Sequence, residues 1–153
     1  MKTDLSSCEF DRCIYCFSPK TSSGVCSECG YDNGLCSPPA YLLMPGTVLK
    51  GNYVVGRHLS SNETEIKYLG FDIKNGGTVE IVEYFPKAYV TRDVTNTDEM
   101  VPIPSHKNSV ERGREDFFLK AKLYYNCVSR VKALYMDFFY RNGTCYYVRK
   151  KDG

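Results

Sequence analysis

The chain has 153 residues, of which 42% are hydrophobic, enough for one domain with a packed core or for a small domain with a short extra module. The net charge of +2 and the pI near 8.1 are too balanced to indicate a binder of nucleic acid or of acidic membranes. No run approaches the ~18 apolar residues of a membrane span, and residues 1–7 lack the apolar stretch of a secretory leader. The sequence therefore predicts a soluble, cytoplasmic protein without membrane contact.

Cysteine usage divides the chain into two modules. Six of the eight cysteines precede residue 40, whereas Cys127 and Cys145 stand alone downstream. Cytosolic thiols are kept reduced, so clustered cysteines in such a chain indicate a metal site rather than disulfides. The two late cysteines are typical of small core residues. We predict a metal-binding module at 1–38 and a second domain at 39–153.

The first module has the cysteine spacing of a zinc ribbon. Cys13 and Cys16 form one C-x2-C pair, and Cys26 and Cys29 form a second pair nine residues later. Four thiolates complete a closed tetrahedral shell around one ion, so we expect a structural rather than a catalytic Zn2+. A module of about 30 residues cannot bury enough apolar surface to fold unaided, so metal binding would supply its folding energy.

The residues around these four cysteines give weaker signals. The segment 17–25 is rich in turn residues and predicts a short hairpin, and Gly30 suits a tight turn with positive φ. Cys8 and Cys36 lie outside the spacing, and each is either an alternative ligand or an ordinary free thiol. The cysteine pattern does not indicate what the ribbon binds.

The second domain predicts an α+β fold with five strands. Alternating or β-branched runs predict these strands at 52–59, 65–71, 78–85, 133–140 and 144–149. Asn-Gly pairs at 75–76 and 142–143 predict hairpin turns between neighbouring strands.

One helix is predicted between the third and fourth of these strands. Asn108-Ser109 is the predicted cap, and the helix is expected to reach about Asn126. Its apolar residues recur at roughly helical spacing, at Val110, Phe117, Phe118, Ala121 and Tyr125. The polar segment 91–107, which contains two prolines, predicts a loop before the helix.

Three strands, one helix and two strands is the element order of a protein-kinase N-terminal lobe. The supporting motifs are PGTVLKGNYVVG at 45–56, EYFP at 83–86 followed by TRD at 91–93, and MDFF at 136–139. Over about residues 10–150 the chain resembles bacterial serine/threonine kinases that carry an N-terminal zinc ribbon. The resemblance implies a small zinc ribbon followed by a five-stranded antiparallel sheet with one main helix.

The resemblance places the glycine-rich loop of a kinase on residues that are not glycines. A kinase uses G-x-G-x-x-G so that backbone N–H groups close over the ATP phosphates without a Cβ in the way. The gapless match puts Ser60, Asn62 and Glu65 at the three glycines. Glu65 would also bring a carboxylate toward the triphosphate, where like charges repel. This loop is therefore not expected to hold ATP.

The resemblance also implies that both halves of the kinase lysine–glutamate pair are lost. The V-A-I-K strand motif reads VEIV at 79–82, so Val82 replaces the lysine and Glu80 replaces the small residue beside the adenine. Lys120 stands where the helix would offer the glutamate. An unpaired carboxylate in an apolar slot costs several kcal/mol, so the pocket is expected to be closed or rearranged. Lys67 and Lys120 are the lysines that could substitute.

The sequence ends at Gly153, where a kinase would enter its hinge. The catalytic-loop aspartate, the metal-binding asparagine and the Asp-Phe-Gly aspartate of a kinase all belong to its C-terminal lobe. We therefore expect no catalytic residue, no ATP cofactor and no enzyme activity from this chain.

These expectations combine into one functional hypothesis. A degenerate, pseudokinase-like lobe on a zinc ribbon predicts a non-catalytic interaction or regulatory module, because the surface that meets a C-terminal lobe would be free to bind a protein. The partner could be a kinase, a C-lobe-like protein or a second copy of the chain. The basic run 149–151 is either a solubilising feature of that surface or a charged tail.

Other functions are kept as alternatives. One is a nucleotide-binding regulatory lobe, and another is the N-terminal fragment of a longer serine/threonine kinase-like protein. A ribbon that contacts nucleic acid is disfavoured by the modest net charge.

Overall fold

The computed structural model describes residues 12–18, 26, 28–29, 41–93, 98–126 and 135–151, the side chains of Tyr135 and Met136 excepted. Most of the 17–25 segment and the boundary near residue 38 lie outside these ranges, as do four residues that the sequence singles out: Cys8, Gly30, Cys36 and Cys127. The elements in chain order are β1 (Val48–Leu49), β2 (Tyr53–Ser61), β3 (Glu65–Asp72), β4 (Gly77–Tyr84), β5 (Val90–Arg92), β6 (Met100–Pro102), α1 (Lys107–Asn126), β7 (Tyr135–Arg141) and β8 (Thr144–Lys150).

Six strands form one antiparallel sheet in the order β1-β2-β3-β4-β8-β7. Five of them correspond to the predicted strands, so an α+β fold with one helix and a mostly antiparallel sheet is confirmed. The predicted count of five is wrong, because β1 adds a sixth strand. Val48 lies opposite Val54 and Leu49 lies opposite Tyr53. A strand of two residues is too short to show a periodicity in the sequence.

Both Asn-Gly pairs lie in tight turns, as predicted. Gly76, between β3 and β4, has a φ of +74°, and Asn142 and Gly143, between β7 and β8, have φ values of +54° and +69°. Two consecutive positive φ values are what a two-residue hairpin turn of the favoured twist requires. Asp72 supports the first turn, because its carboxylate accepts the backbone N–H groups of Lys74 and Asn75.

The sheet has two faces with different partners, because residues directly opposite each other in antiparallel strands share a face. One face, which we name the helix face, carries Lys67, Leu69, Glu80, Val82, Tyr147 and Arg149. The other, which we name the network face, carries Ile66, Tyr68, Ile81, Glu83, Tyr146 and Val148.

The helix α1 begins and ends close to the predicted bounds, at Lys107 and Asn126. The predicted cap at Asn108-Ser109 is wrong, because a 3-10 turn at Pro104–His106 leads directly into the helix. Its buried residues are Val110, Phe117 and Ala121, at the spacing that one helical face requires.

Aromatic contacts hold α1 against the helix face. The Phe117 ring lies 5.7 Å from the ring of Tyr84 and 5.4 Å from that of Tyr147, between centroids. The Tyr84 hydroxyl donates to the carbonyl of Val110 at 3.1 Å. A Cβ at Gly113 would overlap that hydroxyl, so a glycine is needed for the helix to approach the sheet this closely.

The segment 91–107 is not the loop that the sequence predicts. β5 and β6 form a separate two-stranded ribbon, with Val90 opposite Pro102 and Arg92 opposite Met100. Pro102 is tolerated because it ends a strand at an edge, where its missing N–H costs no ladder hydrogen bond. Each strand has only three residues, so the pattern of the sequence could not reveal it.

A buried ion pair attaches the β5–β6 pair of strands to the network face. The Arg92 guanidinium contacts the two carboxylate oxygens of Glu83 at 2.6 and 2.9 Å, and the two side chains are 1% and 0% exposed. The hydroxyls of Tyr68 and Tyr146 donate to the same carboxylate at 2.9 and 2.5 Å. Burial lowers the pKa of Arg92, but the charge and the hydrogen bonds of Glu83, with smaller contributions from Tyr68 and Tyr146, together outweigh that effect and raise the pKa. Both charges are therefore compensated.

The remaining contacts of Arg92 explain the two motifs that surround it. It donates to the carbonyls of Tyr41 and Asp98, and its guanidinium lies 4.5 Å above the centroid of the Phe85 ring. Glu83 and Phe85 come from the EYFP motif, and Arg92 comes from the TRD motif. These motifs therefore form a structural network.

Strands β2 and β7, which lie toward opposite edges of the sheet, contact each other on the network face. Tyr53 on β2 donates its hydroxyl to Asp137 on β7 at 2.9 Å, and Lys50 donates to the same carboxylate at 2.8 Å. The rings of Tyr53 and Phe139 stack with centroids 6.0 Å apart. Among the residues that the structure describes, no helix has the length and apolar character needed to cross a membrane.

Candidate functional site

The four cysteines of the predicted ribbon lie together. Their sulfur atoms are all within 4.8 Å of one another, in the group Cys13, Cys16, Cys26 and Cys29. The Cys13 and Cys29 sulfurs are 3.8 Å apart, and the Cys16 and Cys26 sulfurs are 3.7 Å apart. Each of these contacts joins one C-x2-C pair to the other, so the two pairs face a common centre.

These distances fit a tetrahedral metal site. Zinc–thiolate bonds of about 2.3 Å place two sulfurs of a tetrahedron about 3.8 Å apart. The Cys13–Cys29 and Cys16–Cys26 sulfur–sulfur distances match that separation. The four cysteines could therefore hold a metal ion such as zinc, and four sulfur ligands would leave no open position for substrate.

Backbone amides in the two pairs favour thiolates, the form that binds metal. The N–H groups of Tyr15 and Glu28 each approach a sulfur two residues earlier at 3.4 Å, those of Cys13 and Cys26. Amides of Cys29 and Glu28 lower the pKa of Cys26 to about 7, whereas burial raises the pKa of Cys13. The local turns therefore prepare part of the site electrostatically.

The first cysteine pair is seated on the sheet through Phe17. This side chain is 2% exposed and belongs to a small apolar cluster with Val54, Leu69 and Phe71. The rings of Phe17 and Phe71 have centroids 5.6 Å apart. Leu69 lies directly opposite Glu80, so this cluster occupies the helix face.

The three glycine-loop positions lie at the turn between β2 and β3. Ser60 is within β2, Glu65 begins β3, and Asn62 closes the turn between them. The Asn62 side-chain oxygen accepts the backbone N–H groups of Thr64 and Glu65, both at 2.9 Å. Those two N–H groups already have an acceptor, so the turn does not present them as a phosphate cradle.

Glu80, at the adenine position of the resemblance, forms an ion pair. Both Nε and an Nη of Arg149 lie 2.9 Å from one Glu80 carboxylate oxygen. The two residues are opposite each other on β4 and β8. Arg149 is therefore part of the helix face, which neither sequence interpretation of the basic run foresaw.

Val82, at the lysine position, is completely buried and lies opposite Lys67 on β3 and Tyr147 on β8. The structure therefore brings Lys67, Glu80 and Val82 to one face. Lys120 does not join them, because it is exposed on α1 with its ammonium 5.8 Å from the Tyr124 ring.

The sequence did not predict that the turn carrying the first cysteine pair packs against β2. A Cβ at Gly56 would come 2.6 Å from the Phe17 ring and 2.8 Å from the carbonyl oxygen of Tyr15. The available signals were an aromatic residue directly after a cysteine pair and an isolated glycine inside a strand, which often marks close approach.

Comparison with known proteins supports the fold. No family model matches the chain, and no curated protein matches it. Among solved structures, the chain is similar to one described as "PpkA-294 apo form", with a TM-score of 0.59 and 18% sequence identity. PpkA is a bacterial serine/threonine kinase. The similarity covers 76% of this chain and 38% of the PpkA chain, so the chain has a kinase-like fold and spans little more than a third of that structure.

Proposed function

We propose that the chain is a non-catalytic protein-interaction module, built from a zinc ribbon and a kinase-like N-lobe that does not use ATP. The observation that carries the proposal is the Glu80–Arg149 ion pair on the helix face, at the position that the kinase resemblance assigns to adenine. An adenine ring at this position would have to cover or displace both charged groups and so remove them from the water that reaches them, and burying a charged group is costly.

Two neighbouring features support the absence of nucleotide binding. Val82 supplies no charge at the lysine position and is fully buried. The amides of Thr64 and Glu65 are engaged by Asn62 and cannot also hold phosphate oxygens. At these two matched positions, which both lie in the described part of the chain, the lysine charge and the free amides that hold nucleotide phosphates in a kinase are therefore lacking together.

The interaction role is supported by an apolar surface on α1 and β7. Leu119 and Leu123, one helical turn apart, are 53% and 69% exposed. Tyr140 is 49% exposed, and its ring stacks on Phe118 with centroids 4.2 Å apart. Exposed apolar groups that adjoin one another are typical of protein-binding surfaces. A second copy of the chain is the first partner to test.

The test of nucleotide binding is thermal unfolding of the zinc-loaded chain with and without millimolar ATP–magnesium. A ligand at 100 times its Kd stabilises a protein by about 2.7 kcal/mol, which raises Tm by about 5–10 °C at this size. We expect no shift. Inorganic tripolyphosphate with magnesium is the control for anion binding alone, and a shift specific to ATP contradicts the proposal.

The test of the interaction surface is the molar mass in solution by light scattering. We expect a dimer in the wild-type chain and a monomer after Leu123→Glu. Ile73→Glu is the matched control, because Ile73 is also exposed, at 44%, but lies in the turn after β3. A monomeric wild-type chain, or equal masses in the two variants, would reject self-association through α1.

A regulatory lobe that binds nucleotide is the second candidate, favoured by one observation. Lys67 lies directly opposite Val82 on the helix face, where it could supply the missing positive charge. In that case ATP–magnesium would stabilise the chain, and Lys67→Met would abolish the shift in Tm while Lys120→Met would preserve it.

A different alternative is that the chain belongs to a longer kinase-like protein. The 38% coverage of the PpkA chain favours it, and the activity would then reside outside this chain.

A further inference from the structure

The segment after the first cysteine pair has a backbone conformation that its sequence does not favour. Phe17 has a φ of +66°, in the left-handed region that bulky side chains rarely adopt. Such residues persist where surrounding contacts determine their conformation, and they point to sites where strain has a role.

Contacts from both sides hold Phe17 in this conformation. Its N–H donates to the carbonyl of Cys13 at 2.9 Å, and its carbonyl accepts from the Arg12 guanidinium at 2.9 Å. The Cys13 N–H donates to the carbonyl of Ser18, also at 2.9 Å. The cysteine turn and the left-handed residue therefore form one closed unit, and two of its members, Cys13 and Cys16, contribute sulfurs to the four-cysteine group.

The same unit makes a second contact with the sheet, besides the burial of the Phe17 ring. The Arg57 N–H on β2 donates to the carbonyl of Tyr15 at 3.0 Å. Arg12 lies 4.7 Å above the centroid of the Phe71 ring. Gly56 leaves the space that the Phe17 ring and the Tyr15 carbonyl occupy.

We propose that the first cysteine pair is a metal-dependent latch on the helix face of the sheet. With metal held by the four cysteines, the turn keeps Phe17 left-handed and seats its ring over Gly56 and against Val54 and Phe71. Without metal, the link from this segment to Cys26 and Cys29 is lost, and its own hydrogen bonds alone do not offset the left-handed conformation of Phe17, so the ring leaves its site on the sheet. The apolar surface of β2 and β3 and the Arg57 N–H are then exposed.

The experiment is amide hydrogen exchange on the full chain, loaded with zinc and after chelation. The Arg57 amide reports the latch, and the amides of the β4–β8 ladder report the sheet. We expect chelation to raise the exchange rate at Arg57 by about tenfold or more, while the ladder amides keep their protection. Equal protection at Arg57 in both states would overturn the proposal, and so would simultaneous loss of protection throughout the ladder.

Two variants release the latch from opposite sides. Phe17→Ala removes the ring, and Gly56→Ala fills its seat from the sheet. We expect both zinc-loaded variants to expose the Arg57 amide while their zinc content, measured by atomic absorption, stays at one ion per chain. Gly77→Ala is the control, because a Cβ there meets nothing within 4 Å. Retained protection at Arg57 in both variants would show that Phe17 does not transmit the metal state.

Discussion

Two glutamate–arginine pairs use the same strand, β4, on opposite faces of the sheet. Glu83 and Arg92 on the network face are 0% and 1% exposed, and the carboxylate accepts hydrogen bonds at both oxygens. Glu80 and Arg149 on the helix face are 13% and 33% exposed, and their contact uses one carboxylate oxygen. The chemistry of the pairs is the same, and their environments differ.

The environment determines what each pair contributes. A buried pair with a complete set of hydrogen bonds leaves an uncompensated charge when either partner is removed, so it holds β5 and β6 to the sheet. A pair that water can reach is screened and contributes little to stability. The Glu80–Arg149 pair therefore affects ligand binding more than stability, because it places two charged side chains on the helix face.

Removing Arg92 should have the largest effect. Arg92→Met leaves the Glu83 carboxylate buried without its cation, and we expect the free energy of unfolding to fall by about 3–5 kcal/mol. Urea unfolding monitored by circular dichroism measures the loss. Should the variant not fold, Glu83→Gln/Arg92→Met removes both charges and is expected to recover part of the stability. A loss below about 1 kcal/mol in the single variant would place this pair in the same class as Glu80–Arg149.

Removing one hydroxyl from the network should have a smaller effect. Tyr146→Phe deletes a 2.5 Å hydrogen bond to Glu83 and the acceptor of the Asn142 side chain. Hydrogen bonds to charged groups contribute about 1.5–3 kcal/mol, and we expect a loss in that range. Tyr140→Phe is the control on the other face, because its ring is half exposed. Equal losses in the two variants would contradict the special role of the network hydroxyl.

The network should also make stability depend on alkaline pH. Burial and the Glu83 charge raise the pKa values of Tyr68 and Tyr146 well above their usual 10, so the folded state keeps protons that the unfolded chain releases. Stability should therefore fall as the pH rises above about 10, by up to about 1.4 kcal/mol per pH unit for each tyrosine. The free energy of unfolding between pH 9 and 11 measures this slope. Tyr146→Phe should reduce it, and an unchanged slope would assign the pH dependence to other groups, such as Cys145, whose pKa burial raises to about 12.

The sequence predicted the long elements and the metal-site grouping. Alternating or β-branched runs of six to eight residues predicted the five main strands, and helical spacing predicted α1, which begins one residue before the predicted Asn108-Ser109 cap. The paired C-x2-C spacing placed four cysteines that the structure brings within 4.8 Å of one another. These features depend on local periodicity and spacing, which a sequence displays directly.

The features that the sequence did not predict depend on contacts between distant residues. β5 and β6 are held by Arg92 on Glu83, nine residues away and on another element, and the seat of Phe17 depends on the space left by Gly56. The pairing of Glu80 with Arg149 spans 69 residues and follows from the strand order. Such contacts depend on topology rather than on local pattern.

The smallest effect should come from the helix-face pair. Arg149→Met removes the partner of a carboxylate that water still reaches, so we expect the free energy of unfolding to fall by less than about 1 kcal/mol, with a further decrease of the effect in high salt. Urea unfolding at two ionic strengths, with Lys150→Met as the neighbouring control, measures both. A loss of 3 kcal/mol or more would mean that Glu80 is enclosed as Glu83 is, and the helix face would then be a sealed core. A small loss would mean that water reaches this face, and the ion pair would then exclude nucleotide because it occupies the matched adenine position rather than because the face is closed.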